Sequence, residues 1–197
     1  VIDGQGTLYR CRITADSHKG VEAMVLEETH QWGSHPYDLH LAVCPTKNND
    51  RYEWFAEKAT EIGFDELTFL NSRYSERKVI KTERIEKILV SAVKQSLKAS
   101  KPVLNEMMDF NKFISQEFHG QKFICHCNEG EKKLLKDVVI PGEDAVILIG
   151  PEGDFSPEEV AKAMACGFIP VSLGKSRLRT ETAALVAVHT LNLFNQK

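Results

Sequence analysis

Two glycine-bearing stretches near the carboxyl end are the places where residue type and spacing could do chemistry. Gly150-Pro151-Glu152-Gly153-Asp154-Phe155 follows the apolar run Ala145 to Ile149, and Leu173-Gly174-Lys175-Ser176-Arg177-Leu178-Arg179-Thr180-Glu181-Thr182 follows the run beginning at Phe168. Glycine at such turns lets backbone N–H and C=O groups reach a ligand with no Cβ in the way. Ligands of open α/β sheets bind beyond the carboxyl ends of the strands, where both stretches would lie. Taken singly, either one reads first as an ordinary tight turn.

Rival chemistries can be tested on the residues. Gly174-Lys175-Ser176 looks like the end of a P-loop, but the position five residues before Gly174 is Ile169 and not glycine. No G-x-G-x-x-G follows a strand, no serine elbow is present, and no histidine pair has metal spacing on a helix. Cys125-His126-Cys127 is the nearest thing to a metal motif; in an extended strand the two sulfurs share one face and the imidazole points away, so buried strand residues are the plainer reading. The five cysteines form no CxxC pair, which suits a reducing, cytoplasmic setting.

Charge is unevenly spread. The chain of 197 residues has a net charge of -3, yet Ser72 to Lys101 holds nine basic and three acidic residues. Such polarisation allows one cationic surface to meet a polyanion. Arg84, Lys87, Ser91, Lys94, Lys98 and Lys101 recur every three or four residues and so line one stripe of a helix expected over Glu83 to Ala99, with Arg73, Arg77 and Lys78 just upstream. The stripe reads either as a solvated face or as a contact for RNA.

The elements that must position these residues follow from periodicity. Leu8 to Thr14 and Val21 to Leu26 read as strands around a polar turn, and Gln31 to Tyr37 as a linker. From Leu39 strands alternate with helices: strands at Leu39 to Cys44, Leu67 to Leu70, Lys122 to Cys127, Ala145 to Ile149 and Phe168 to Leu173, and helices at 131–137, 157–166 and Glu181 to Phe194. Ser156, Pro157 and Glu159 form a capping box that opens the second of these helices. Ala145 to Ile149 is apolar throughout, as a parallel strand covered on both faces must be. The fold class is α/β. No apolar run approaches the roughly 20 residues of a membrane span. No charged and apolar leader precedes Val1, so no secretory peptide is expected, and the chain reads as a possible fragment of a longer protein.

GPEGDFSPEE (Gly150 to Glu159) followed by LGKSRLRTETAAL (Leu173 to Leu185) resembles the paired signature loops of the RsmE family of 16S ribosomal RNA uridine methyltransferases. The resemblance extends through Glu57 to Gly63, Ser75-Glu76-Arg77, Lys94 to Pro102 and Ile2-Asp3-Gly4. It implies a SPOUT methyltransferase domain over 36–197, with a parallel sheet and a C-terminal trefoil knot. It also implies an N-terminally truncated PUA-like β-barrel over 1–32 that binds RNA, and a homodimer. The donor would be S-adenosyl-L-methionine, and the acceptor N3 of a decoding-region uridine in 16S ribosomal RNA or the small subunit. One departure is Asp154, where the family loop carries a glycine.

Carried onto this chain, the resemblance makes Gly150, Pro151, Glu152, Gly153, Leu173, Gly174 and Leu178 the cofactor cradle. Arg179 and Glu181 become the catalytic pair, Arg179 stabilising charge and Glu181 a base or simply an acidic residue in a first helical turn. Arg73, Arg77, Arg84, Lys87, Lys94, Lys98 and Lys101 become the RNA surface, and no metal is implied. Two other readings stay open: an RNA-binding ribosome-assembly factor without chemistry, and a related enzyme acting on transfer RNA. The small apolar residues of the last helix suit a subunit interface or a monomer core, and His189 on it a packed position.

Overall fold

Strand Leu8–Ser17 (β1) and strand Gly20–Thr29 (β2) pair antiparallel as an isolated ribbon in the computed structural model, which describes residues 1–196. Both strands run about three residues further than the sequence pattern suggests, leaving His18 and Lys19 as the turn. Both faces of the ribbon meet solvent, so pairing depends on backbone hydrogen bonds and a polar residue does not end it. The ribbon and its flanks attach to the rest through backbone bonds such as Gly6 N–H to Ala99 C=O, 3.0 Å, and Lys101 N–H to Gly4 C=O, 2.9 Å.

The α/β unit follows. Strand Leu39–Val43 (β3) leads to helix Asn49–Ile62 (α1), capped by Asn48 and ended at Gly63. Strand Glu66–Asn71 (β4) leads to helix Thr82–Gln95 (α2), then to short strands Val103–Leu104 (β5) and Met108–Asp109 (β6) and helix Phe110–Ile114 (α3). Strand Gln121–Cys125 (β7), strand Lys133–Leu134 (β8) and helix Leu135–Val138 (α4) come next. Strand Ala145–Ile149 (β9), helix Pro157–Ala165 (α5), strand Ile169–Ser172 (β10) and helix Thr180–Asn195 (α6) complete it. The sheet is parallel in the order β5-β4-β3-β9-β7-β10-β8, with β6 also on β4.

Successive residues of the central strand β3 face opposite layers. Leu39, Leu41 and Val43 pack with Phe55, Ala59, Leu89, Ala184, Val188 and Leu191 under α1, α2 and α6. Ala42 and Cys44 face the opposite layer, with Phe110, Phe113, Val160 and Ala163 of α3 and α5. Every residue of β9 is buried, because helices cover both sides of it.

Four expectations need correction, the first being His189, expected to be packed but exposed on α6. Helix α2 ends at Gln95, not Ala99: Leu97 takes φ +55° and Lys98 N–H closes back on Val93 C=O at 3.1 Å, the turn that stops a helix. Lys98 and Lys101 therefore lie past the helix, and its basic stripe ends at Lys94. Strand β7 stops at Cys125, paired with Ile149 and Val171, so His126 and Cys127 are loop residues. The helix expected over 131–137 is the four-residue α4.

Candidate active site

Strands β7, β9 and β10 are neighbours, and their carboxyl ends open into a cavity of about 330 Å³. Its floor and walls are apolar where the strands end: Cys125, Ile149, Val171, Leu173, Leu178 and Ala183. That volume and lining suit a nucleoside-sized ligand oriented by a few polar groups. The two glycine loops meet here. Gly150, Pro151 and Glu152 line it from one side, and Leu173, Gly174, Leu178 and Arg179 from the other. Thr180, first residue of α6, donates its hydroxyl to Gly150 C=O at 3.0 Å and ties one loop to the other.

Local chemistry sets the shape of each loop. Ser156 Oγ accepts from Glu159 N–H at 3.2 Å, and Glu159 Oε2 from Ser156 N–H at 2.9 Å, so the capping box fixes where the first loop enters α5. Glu159 also accepts from Arg73 N–H at 2.8 Å, joining that helix start to the end of β4. Gly153 stands at a close approach: a Cβ there would lie 3.1 Å from Tyr74 Cβ, so a side chain would make Tyr74 give by a few tenths of an ångström. Gly174 sits at φ +137°, a backbone conformation that L side chains resist.

The expected site residues divide. Gly153 faces Tyr74 and borders a polar extension of the cavity, not its apolar part. Glu152 lines the cavity while its carboxylate accepts from Lys47 N–H at 2.9 Å, so it also pins the start of α1's loop. Arg179, at the N-cap of α6, is exposed and reaches the cavity. Glu181 does not line it. Its carboxylate is buried, with Oε1 3.8 Å from Arg51 Nε of α1 and Oε2 without a hydrogen-bond partner among the described residues. The geometry of this chain gives Glu181 no contact with the cavity and leaves Arg179 as the charged group of the expected pair.

Several lining residues were not among those the sequence assigned to the cofactor. His126, Cys127, Asp154, Ser176 and Arg177 line the cavity, and all five continue into the polar extension together with Asn128, Lys132 and Lys175. Asp154 is at φ +65°, and its carboxylate accepts from Cys127 N–H at 2.7 Å and from Phe155 N–H at 2.8 Å. It stitches the first glycine loop to the loop after β7, a bond no glycine could make. Burial, then Lys132, pushes the His126 imidazole below its ordinary value, with Asp154 opposing. Burial holds the Cys125 thiol well above the usual range, so it is an apolar wall and not a thiolate. Among the described residues no cluster has the makings of a metal site.

The basic residues expected to meet RNA are in different states. Arg73 pairs with Glu158 at 3.2 Å, Arg84 with Glu53 at 3.1 Å and Lys101 with Glu86 at 2.9 Å. Arg77 donates to the carbonyls of Thr46 and Lys47, and Lys98 to that of Ile62. Lys87 and Lys94 are exposed and form no ion pair among the described residues. Among those residues, too, no helix is long and apolar enough to cross a membrane.

The family profile described as "RNA methyltransferase domain" matches residues 33–192. Ribosomal RNA small subunit methyltransferase E of Synechocystis is 29% identical over 98% of this chain and 64% of its own length. The protein of that name from Buchnera aphidicola is 31% identical over 79% of this chain and 63% of its own. The chain thus spans somewhat under two thirds of both relatives. A probable rRNA-methyltransferase from Porphyromonas gingivalis superposes with a TM-score of 0.91 at 42% identity, covering 98% of this chain and 83% of that one. A ribosomal RNA small subunit methyltransferase E from Neisseria gonorrhoeae, bound to S-adenosyl methionine, superposes with a TM-score of 0.86 at 27% identity, covering 98% and 81%.

Proposed function

Because this chain belongs to the RNA methyltransferase family, in its ribosomal RNA small subunit methyltransferase E branch, we propose that it methylates N3 of a decoding-region uridine in 16S ribosomal RNA, using S-adenosyl-L-methionine. The observation that carries this reading is the cavity in which both glycine loops converge, tied by Thr180 to Gly150. Its residues fit that cofactor. Apolar side chains suit an adenine and the carbons flanking a sulfonium, and Gly150 to Glu152 together with Leu173 and Gly174 line the same cavity.

When bound, the cofactor supplies an electrophilic methyl group on a sulfonium. The protein's part is alignment and charge. The rigid loops hold donor and acceptor for an in-line displacement, where the N3–methyl bond forms as the sulfur–methyl bond breaks. Uridine N3 must lose its proton, which passes to solvent at the open edge of the cavity, and the negative charge that spreads onto the uracil oxygens is stabilised by the exposed Arg179 guanidinium there. Glu181, turned toward Arg51, holds the start of α6 against α1 in this reading.

RNA approaches over Arg73, Arg77, Arg84, Lys87, Lys94, Lys98 and Lys101, with Lys87 and Lys94 giving the largest share because no acid among the described residues pairs with them. The domain over 36–197 does the chemistry. Residues 1–32 are read as the end of a PUA-like barrel, and the insertion of β9 between β3 and β7 supports a trefoil knot. The chain works as a cytoplasmic homodimer through α6, whose Leu193 and Phe194 stay exposed.

The test is methyl transfer to small ribosomal subunits that lack the modification, with nucleoside mass mapping. N3-methyluridine at one 16S position is expected; methylation confined to transfer RNA, or none with intact cofactor binding, defeats the reading. Arg179→Ala should lower turnover about 100-fold with cofactor affinity held within about threefold, and unchanged turnover removes its role.

A further inference from the structure

A separate cavity of about 310 Å³ lies where the flanks of the β1–β2 ribbon meet the end of α2. Ile2, Leu8, Trp32 and Leu97 line it together with Lys94 and Lys98, and no acidic residue among the described ones does. Helix α2 leaves β4 and leads to β5, which is parallel to β4, so it returns to the amino ends of the strands. Its 14 residues put this cavity roughly 20 Å from the helix start, which lies on the side of the glycine loops. Trp32 is 44% exposed and yet held. Its backbone N–H donates to Gly6 C=O at 2.9 Å and its indole N–H to Leu97 C=O at 3.2 Å, so the ring is oriented before any partner arrives. Leu97 at φ +55° and Gln31, next to Trp32, at φ +53° are strained non-glycine positions of the kind that gather at binding sites.

Charge and continuity decide what fits. Lys94 is exposed and pairs with no acid among the described residues, while Lys98 Nζ turns to Ile62 C=O at 3.3 Å. Lys87 lies two helical turns before Lys94 on the same stripe, about 10 Å along the axis, so a line of phosphates crossing α2 would arrive at this cavity. An apolar cavity with a fixed indole beside a free cation matches an unpaired nucleotide, whose base has a π face and whose backbone is anionic. We infer that the cavity takes an unpaired nucleobase of the RNA stacked on Trp32, with Lys94 at its phosphate, and anchors the RNA at a distance from the methylated uridine. This rests on the reading of the α2 stripe as an RNA surface. So distant an anchor binds ground state and transition state alike, and therefore lowers KM for RNA and leaves kcat alone.

The test reads the indole directly. The chain has two tryptophans, so Trp54→Phe leaves Trp32 as the reporter. A short oligouridylate is expected to quench its emission, and an RNA duplex of the same length, whose bases are already stacked, to do so far less. Trp32→Leu should weaken oligouridylate binding about tenfold, and Trp32→Phe, which keeps an aromatic ring, by no more than about threefold. On small ribosomal subunits lacking the modification, Trp32→Leu should raise KM by a similar factor, with kcat and affinity for S-adenosylmethionine within about twofold. Bound oligouridylate without quenching overturns the inference, as do equal quenching by the duplex, equal affinity of the leucine and phenylalanine variants, or a loss in kcat instead of KM. Emission that shifts with protein concentration in the absence of RNA would make a second copy of the chain the occupant and overturn it too. If the unsubstituted chain neither binds RNA nor methylates it, the reading as an RNA methyltransferase fails; if it does both and Trp32 is silent, only the anchor fails.

Discussion

Asp154 shows how one residue can break a local rule and be retained. A non-glycine side chain at φ +65° is strained by about 1 kcal/mol or more, yet its carboxylate gathers two backbone N–H groups from two loops. Removing the carboxylate while keeping the Cβ loses the bonds and retains the strain. Asp154→Ala should therefore destabilise the fold by roughly 1–3 kcal/mol, and Asp154→Gly by about 1 kcal/mol less, as read from denaturant midpoints. Equal losses would show that the backbone at this position is not strained. His40 illustrates a second residue effect. Burial drives its imidazole below its ordinary value of 6.5, against the pull of Glu66, and Thr68 Oγ1 lies 2.8 Å from Nε2. Because the unfolded chain protonates this group first, stability falls as pH drops from about 7 through the lowered folded value. His40→Gln should flatten that part of the pH–stability curve, and an unaltered curve would place the titration elsewhere.

Among the elements, α2 gives the clearest case of a boundary that periodicity overran. Basic residues continue at helical spacing to Lys101, but a stripe of charges does not carry a helix; buried apolar residues do, and the last one inside α2 is Val93. The chain then turns at Leu97, which is 78% exposed at φ +55°. Leu97→Gly removes the left-handed strain of about 1–2 kcal/mol and adds about 0.5–1 kcal/mol of unfolded-state entropy, so a net gain of about 0.5–1 kcal/mol is expected in chemical denaturation. A loss would mean that the Leu97 side chain packs more than its exposure suggests. The start of α5 was legible throughout, since Ser156 and Glu159 satisfy one another within four residues and Pro157 takes the first helical position. The loop after β7 was not. Cys125-His126-Cys127 alternates like a strand, and only the ends of β9 and β10 beside it cut the strand at Cys125.

At the scale of the molecule, charge is local before it is global. Of the seven basic residues assigned to RNA, Arg73, Arg84 and Lys101 are held by acids of the same chain, while Lys87 and Lys94 are not. Replacing both Lys87 and Lys94 with alanine should make the salt dependence of RNA affinity shallower by about one to two in log–log slope. Arg84→Ala, which also frees Glu53, should change the slope by less than one such unit. Equal slopes for all variants would move the RNA surface to another face of the molecule.

What the amino-acid order determined by itself is the material of each element. Alternating and continuous apolar runs specified parallel strands and their covering helices, glycine and a capping box placed the two loops, and the paired loop sequences identified the family. Those signals act over a few residues, where sterics and backbone hydrogen bonding are decided. Tertiary structure alone decided that β9 lies between β3 and β7, that Thr180 clasps Gly150, that Glu181 turns to Arg51, and that His126 and Asp154 face the same cavity. The physical reason is that strand order and side-chain partnership join residues tens of positions apart, and the burial that selects them exists only once the whole sheet has closed.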